Sequence, residues 1–514
     1  MIRFNCKTFS RCSVFCFFAF VSIYLCWSPL FHSKVWIGHD FNFHIYRAFA
    51  TIRDMSSGQK PPLWDVDNYG HEINVFYPPA FNYLLSFVFL FTSNVLFAEK
   101  ICVFFIILAV TVSSYFLFYK HSGCVVTSIL FSLMSSSSTY MIDNIFIRAA
   151  YPESMGMIAI PIMFLGLFCK DESSSLKFLF IANVIFILTN IPMALCSGVF
   201  FIIYYLFYRK LFKVYVASLL MAIFLCSWYV IPMLYSFVFE KINMSHNWFP
   251  TMVSLSVGLY DLISGAVIRP GFPLEGMSLG VGFPLFSVFV YSVFKVDDFD
   301  KNLLFLICVV FVVICSGLDY SKLPSFFSPL STIQFSWRFI PFLSLSMLFF
   351  VFNSRVFNFR VLLFVFLSTS FICSSINSRA NLVDNMDVSK ITIRNKDYFP
   401  PGLSDIPGVM CYSGENLKPS AFTKKINDDG LPSYIVDVSD FSNCVIPFIA
   451  YKSLTLSGAE SFKRDGYFHV RIPSGHNVLK ISINPDFEKI MILSLLMSVV
   501  SLFLFYFLFF MRKI

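Results

Sequence analysis

Four short stretches of this chain combine charge with apolar surroundings in a way that suits chemistry. The first runs from Trp36 to Leu85. Between Trp36 and Pro79 it holds eight charged side chains and three histidines, whereas the whole chain is only 13% charged. The second is Asp143–Glu153, the third Ser331–Arg338 and the fourth Asn395–Pro401. Each lies beside a long apolar run, and charges close to hydrocarbon are costly and are kept mostly for pathways or sites. Asp40 and Glu153 supply two acids, and Arg148 and Arg338 supply two arginines. A carboxylate at a water–lipid boundary can act as general base on a hydroxyl, and guanidinium groups hold a phosphate bidentately. A lipid-phosphate sugar meets both demands, with its tail among apolar helices, its phosphate at headgroup depth and its sugar in water. Transfer to an acceptor hydroxyl leaves the lipid phosphate as the leaving group, and arginines stabilise its growing charge. Neither a G-x-x-x-x-G-K-[ST] loop nor a G-x-G-x-x-G turn after a strand is present for a nucleotide.

Each of these residues also has a plainer reading. Asp40 suits a helix N-cap, and Arg148 with Glu153 suits an ordinary interfacial ion pair. Trp337 and Arg338 suit a membrane-belt anchor, with the arginine snorkelling to water. His44 and His71 read as structural, because no third ligand at metal spacing accompanies them. Tyr77-Pro78-Pro79 starts an apolar run, where proline belongs in a first helical turn. The case for a site rests on the set, which puts two acids and two arginines on one face of the membrane.

The elements that must position the set follow from periodicity. Asp40, His44, Arg47 and Thr51 share one helical face, and Phe41, Ile45, Ala48 and Ile52 share the next. Such a helix lies flat at a membrane surface, apolar side down, and presents Asp40 at the boundary. The 514 residues are 57% hydrophobic, include 68 Phe and have a mean hydropathy of +0.73. No soluble core needs that much apolar surface. The expectation is a polytopic α-helical membrane protein of about 11–13 transmembrane helices. The spans fall near 13–31, 80–98, 101–119, 124–141, 150–169, 176–189, 191–208, 214–236, 279–295, 302–317, 337–353, 359–376 and 487–511. Arg3, Lys7 and Arg11 before Val14–Leu30 read as an uncleaved signal anchor starting in the cytoplasm. Lys170 and Lys177, Arg209, Lys210 and Lys213, Lys295 and Lys301, Arg355 and Arg360, and Arg512 and Lys513 mark alternate turns. By the positive-inside rule those turns are cytoplasmic and the segments 237–278, 318–336 and 380–486 are external. Between residues 80 and 149 the count closes if one of three spans is re-entrant, interfacial or merged into a longer helix. Fusing 80–119 into one interrupted element is the favoured choice, because it leaves Lys120 and His121 cytoplasmic.

The expected organisation is a transmembrane catalytic module at 1–379 with a first periplasmic loop at 32–79, a β-rich periplasmic domain at 380–486, and a closing helix at 487–514. Ser433–Val438, Tyr467–Ile472 and Val478–Ile483 alternate as half-buried strands do. Cys411 and Cys444 are the only cysteines of 380–486 and can pair in an oxidising periplasm. Most of the other cysteines lie in apolar runs and act as small hydrophobes. No Cys-x-x-Cys pair or Cys/His cluster points to zinc.

An acid just after the first span, followed by Tyr69-Gly-His-Glu-Ile-Asn-Val-Phe-Tyr-Pro-Pro79, resembles the bacterial membrane proteins of the type C glycosyltransferase superfamily. Arg148-Ala-Ala-Tyr-Pro-Glu153, Ile333-Gln-Phe-Ser-Trp-Arg-Phe339 and Asp397-Tyr-Phe-Pro400 look like further cues of a multispan branch with a C-terminal external β-domain. The resemblance implies an inner-membrane enzyme using a polyprenyl-phosphate sugar. It makes Asp40 the catalytic base and Glu153 a second acid, with Arg148 and Arg338 on the donor-phosphate side. His44, Arg47, Tyr77 and Trp337 are supporting candidates. The first loop carries a single acid, His39-Asp40, where a paired Asp-x-Asp or Asp-Glu would hold a divalent metal such as Mg or Mn, so no metal or other cofactor is expected. The composition is similar to that of O-antigen glucosyltransferases. By that analogy the enzyme moves glucose from undecaprenyl phosphate to a surface polysaccharide, with the bilayer, the lipid donor and the glycan acceptor as partners and no nucleic acid. Two rival classes remain. A lipid-linked glycan flippase should carry ionisable groups at the bilayer midplane and paired repeats. A non-catalytic envelope scaffold would tolerate loss of Asp40, Arg148 and Glu153 together.

Overall fold

Apolar runs fold into helices here, and short polar side chains decide where they begin. Asn94 accepts from the Phe97 N–H and opens Val95–Ser122, which Gly123 closes in the left-handed conformation. Asp171 caps Glu172–Thr189 through the Ser174 N–H, and Asn190 caps Ile191–Tyr208 through the Met193 N–H. The computed structural model describes residues 11–25, 35–59, 61–243, 248–265, 276–295, 299–354, 363, 366–368, 382–383, 399–400, 403, 408–413 and 416–510. Arg3, Lys7, Arg355, Arg360, Asp397, Tyr398, Arg512, Lys513, the boundary at 379–380 and most of the expected span 359–376 lie outside the described residues.

Among the described residues, five helices are long and apolar enough to cross a membrane: Val95–Ser122, Glu172–Thr189, Ile191–Tyr208, Ser336–Ser354 and Pro485–Phe507. Two bent pairs raise that to seven. Five shorter apolar helices among the described residues follow other expected spans: Cys12–Tyr24, Ala80–Thr92, Tyr151–Leu167, Phe283–Val293 and Leu303–Ser316. The run 124–141 bends by 47° between Val125–Ser136 and Thr139–Phe146. The run 150–169 divides into Tyr151–Gly156 and Ala159–Leu167, and 214–236 breaks at Cys226. The freed Trp228 N–H donates to the Ser498 hydroxyl, which satisfies the backbone at that break. The interruption in 80–119 falls at Ser93–Asn94, earlier than the expected 98–101, because Asn94 caps the second helix and Ser93 turns with a positive φ.

The chain divides into two compact units. The first comprises Met1–Ile45, Tyr83–Ala222 and Asn247–Lys390. Its helices interlock through phenylalanines: the Phe349 ring lies 4.7 Å from Phe168 and 5.7 Å from Phe164, and Phe200 lies 5.2 Å from Phe311. Strands β1 (Val35–Trp36) and β2 (Leu382–Val383) pair antiparallel. The second unit comprises Tyr46–Asn82, Ile223–His246 and Ile391–Ile514. Its strands are β3 (Met410–Ser413), β4 (Asn416–Pro419), β5 (Phe422–Ile426), β6 (Pro432–Val438), β7 (Ser442–Ile449), β8 (Leu454–Ser457), β9 (Glu460–Arg464), β10 (Tyr467–Ile472) and β11 (Gly475–Ile483). They form antiparallel sheets in the orders β4-β3-β7-β10-β9 and β5-β6-β11-β8. The three alternating runs read from the sequence are β6, β10 and β11. Cys411 and Cys444 sit opposite one another on β3 and β7 and form a disulfide. The first loop docks on this region: the Ile449 N–H donates to the Tyr69 carbonyl at 2.7 Å, and Lys424 Nζ donates to the Val66 carbonyl at 3.0 Å.

Candidate active site

Asp40 lies immediately before the helix Phe41–Ser56, and its carbonyl accepts the His44 N–H. Two backbone hydrogen bonds tie this turn to the second site segment. The His39 N–H donates to the Ile147 carbonyl at 3.3 Å, and the Asp40 N–H donates to the Arg148 carbonyl at 2.8 Å. Gly38 permits the approach, because a Cβ there would stand 2.5 Å from the Ile147 oxygen. The contact sets Asp40 Oδ2 3.1 Å from Arg148 Nε.

Arg148 lies just past the helix Thr139–Phe146, which carries Asn144. Its Nη1 donates to Asn144 Oδ1 at 3.1 Å and to Glu153 Oε2 at 2.9 Å. Ala149 then takes a left-handed conformation (φ 58°), and Pro152 opens the next helix. This turn brings Glu153 back onto Arg148. A left-handed alanine is strained, and such strain collects at functional sites. The third segment supplies Arg338 from the 3₁₀ turn Ser336–Phe339, and it too follows a left-handed residue, Gln334 (φ 65°). Arg338 Nε donates to Glu153 Oε2 at 3.0 Å. Its Nη1 donates to the Ile333 carbonyl and to Gln334 Oε1 at 2.9 Å.

The product is one chain of ion pairs, Asp40–Arg148–Glu153–Arg338, all within the first unit. Burial separates its members. The side chains of Glu153, Arg338 and Arg148 are 1%, 6% and 9% exposed, whereas that of Asp40 is 38% exposed. Glu153 has both oxygens engaged, Oε2 by the two arginines and Oε1 by the Tyr140 hydroxyl at 2.6 Å. That geometry suits a fixed counter-ion, and Asp40 is the acid that water can reach. Burial opposes the charge on Arg148, but the carboxylates of Glu153 and Asp40 outweigh it and hold the guanidinium protonated.

Arg338 does not snorkel and Trp337 is no belt anchor. Both are buried, and the indole stacks on Phe335 at 4.2 Å, since Glu153 and the Ile333 carbonyl give the arginine better partners inside. The helix Phe41–Ser56 forms where periodicity puts it, but beyond Asp40 the polar face, His44, Arg47 and Thr51, is buried instead of facing water. His44 packs 6.4 Å from the Tyr151 ring in the first unit. Arg47 and Tyr77 belong to the second unit. There Arg47 Nη2 donates to the carbonyls of Tyr77 and Pro78 at 3.0 and 2.8 Å, its Nε donates to Asn74, and its guanidinium covers the Tyr77 ring at 4.4 Å. These partners satisfy a buried polar face, which makes burial tolerable.

Sequence reasoning passed over Tyr140, Asn144, Gln334 and Gly38. A signal existed for two of them: Asn144 and Gln334 each stand four residues before a site arginine. Among the described residues no group of three or more His, Cys, Asp or Glu side chains is arranged to hold a metal ion.

No protein-family model matches the chain, and no curated protein is significantly similar to it. Among solved structures, the chain is similar to the arabinofuranosyltransferase AftD from Mycobacteria, at 14% identity and a TM-score of 0.48, over 75% of this chain and 28% of that one. A mutant of AftD is similar at 13% identity and a TM-score of 0.40, over 73% of this chain and 28% of that one. The chain therefore spans only about 28% of the length of the proteins it is similar to.

Proposed function

We propose that this chain is a multipass membrane glycosyltransferase that moves a sugar from a polyprenyl-phosphate donor to a glycan hydroxyl at the outer face of the bacterial inner membrane. The observation that carries the proposal is the pairing of a solvent-reachable acid, Asp40, with an otherwise buried arginine, Arg148. The apolar helices supply the bilayer setting. The disulfide in the unit that also contains the first loop favours an oxidising, external side for both.

In the proposed reaction the acceptor oxygen forms a bond to the anomeric carbon while the bond from that carbon to the phosphate oxygen breaks. The acceptor proton passes to Asp40, and the electron pair stays on the departing lipid phosphate. One negative charge thus moves from Asp40 to the phosphate. Arg148, beside Asp40, compensates the first location before the reaction and the second after it. Glu153 holds Arg148 and Arg338 in place by ion pairs, and it takes no proton itself. The finer reading, from sequence resemblance, is glucose carried on undecaprenyl phosphate and a surface polysaccharide such as O-antigen as acceptor.

The test is transfer from purified polyprenyl-phosphate sugars in reconstituted vesicles, with the donor sugar varied. Asp40→Asn should lose transfer by about 10²–10⁴-fold while accumulating normally. Full activity of that variant would remove Asp40 as base, and inactivity of the wild type with every donor sugar would sink the reading as a whole.

A further inference from the structure

One buried acid takes no part in the proposed reaction. Glu72, in the second unit, is fully buried where the first loop, the helix Ser227–Phe239 and the β-region meet. Its Oε1 accepts from Trp64 Nε1 at 3.2 Å, within the first loop, and from the Ser453 hydroxyl, just ahead of β8. Its Oε2 has no hydrogen-bond partner among the described residues, and the Ser236 hydroxyl of the helix is close enough to favour the charged carboxyl slightly.

Of the charged groups around it, Lys463 attracts it without forming an ion pair and Glu240 repels it. Glu240, after the same helix, accepts the Lys452 N–H and adds like charge. The ammonium of Lys452 sits over the Phe239 ring at 5.0 Å, and that of Lys463 on β9 over the Phe468 ring at 5.8 Å. Tyr235 and Tyr451 complete the surroundings. Among the described residues no cation forms an ion pair with Glu72. An ionised carboxylate enclosed in this way is expensive, and a neutral one is not.

We propose that Glu72 is a proton-operated clasp: in its neutral form it lets the first loop stay docked on the β-region, and its ionisation opens that contact. The clasp does not depend on the transfer chemistry. Burial pushes the Glu72 carboxyl from 4.5 up to about 7, the Ser453 hydrogen bond pulls it partly back, and Glu240 raises it. The docked state therefore holds a proton that the released loop gives up. Stability of the contact is full below about 4.5 and is lost as pH rises through about 7.

Hydrogen exchange on the full chain in lipid nanodiscs tests this. After correction for intrinsic exchange, protection of residues 61–76 and 451–457 should fall on the order of 100-fold between about pH 5 and about pH 9. Glu72→Gln, which carries the neutral shape permanently, should keep its protection at both. Protection independent of pH in the wild type, or an equal loss in Glu72→Gln, overturns the proposal. Ser453→Ala supplies a second reading should Glu72→Gln not fold. Removing that hydrogen bond should move the midpoint upward, and an unmoved or lowered midpoint also overturns the clasp.

Discussion

The Arg148 guanidinium reaches Asp40 with one nitrogen and Glu153 with another, at 3.1 and 2.9 Å. Asp40 is thereby aimed by a residue that is itself held from behind. The candidate base owes its orientation to a buried counter-ion, so changes that touch no substrate should still reach the chemistry.

Gly38 is the first such place. A methyl group there meets the Ile147 carbonyl at 2.5 Å and the Arg148 carbonyl carbon at 2.6 Å, so Gly38→Ala must push the Asp40 turn away. Transfer should drop by about 100-fold, since a shift near 1 Å in a reacting group costs that much. Vesicle assays beside a thermal unfolding curve check it, and unchanged activity would mean that Asp40 needs no register with Arg148.

Removing Glu153 leaves two buried arginines without their shared partner. Glu153→Gln should destabilise the protein by about 3–5 kcal/mol, and Tyr140→Phe by a smaller amount, about 1.5–3 kcal/mol. Thermal unfolding in detergent measures both. If Glu153→Gln unfolds at the wild-type temperature, the acid is not the counter-ion its contacts indicate.

His71 sets an acid limit on the second unit. It is fully buried, with its ring 4.7 Å from that of Phe399. Burial, helped by Arg47, pulls its protonation from 6.5 down to about 3. The unfolded chain binds this proton first, so stability is full above 6.5 and declines as pH falls toward about 3. His71→Gln should flatten that decline in a plot of unfolding temperature against pH, and a slope identical to wild type would count against it.

The Cys411–Cys444 bridge closes a sequence separation of 33 residues. Cys411→Ser with Cys444→Ser should cost about 2–5 kcal/mol. Maleimide labelling of denatured protein made in an oxidising compartment should find neither thiol free in the wild type. Quantitative labelling of both would place the β-region on a reducing side.

The sequence by itself determined the local elements, because helical and strand periodicities are written over a few consecutive residues. The Asp40 helix, the strands β6, β10 and β11 and the long apolar helices were legible in this way. So were the four ionisable residues, which stand out against a chain only 13% charged. What each residue does was decided by contacts far apart in the chain. Arg338 meets Glu153 across 185 positions, and no periodicity reports such a pairing. Only the tertiary structure could therefore show that Glu153 has no oxygen to spare, that Arg338 turns inward, and that His44, Arg47 and Thr51 are buried among partners. It also left Asp40, in the turn ahead of its helix, as the one member of the ion-pair chain substantially open to solvent, while the side chains of the other three are buried among distant contacts.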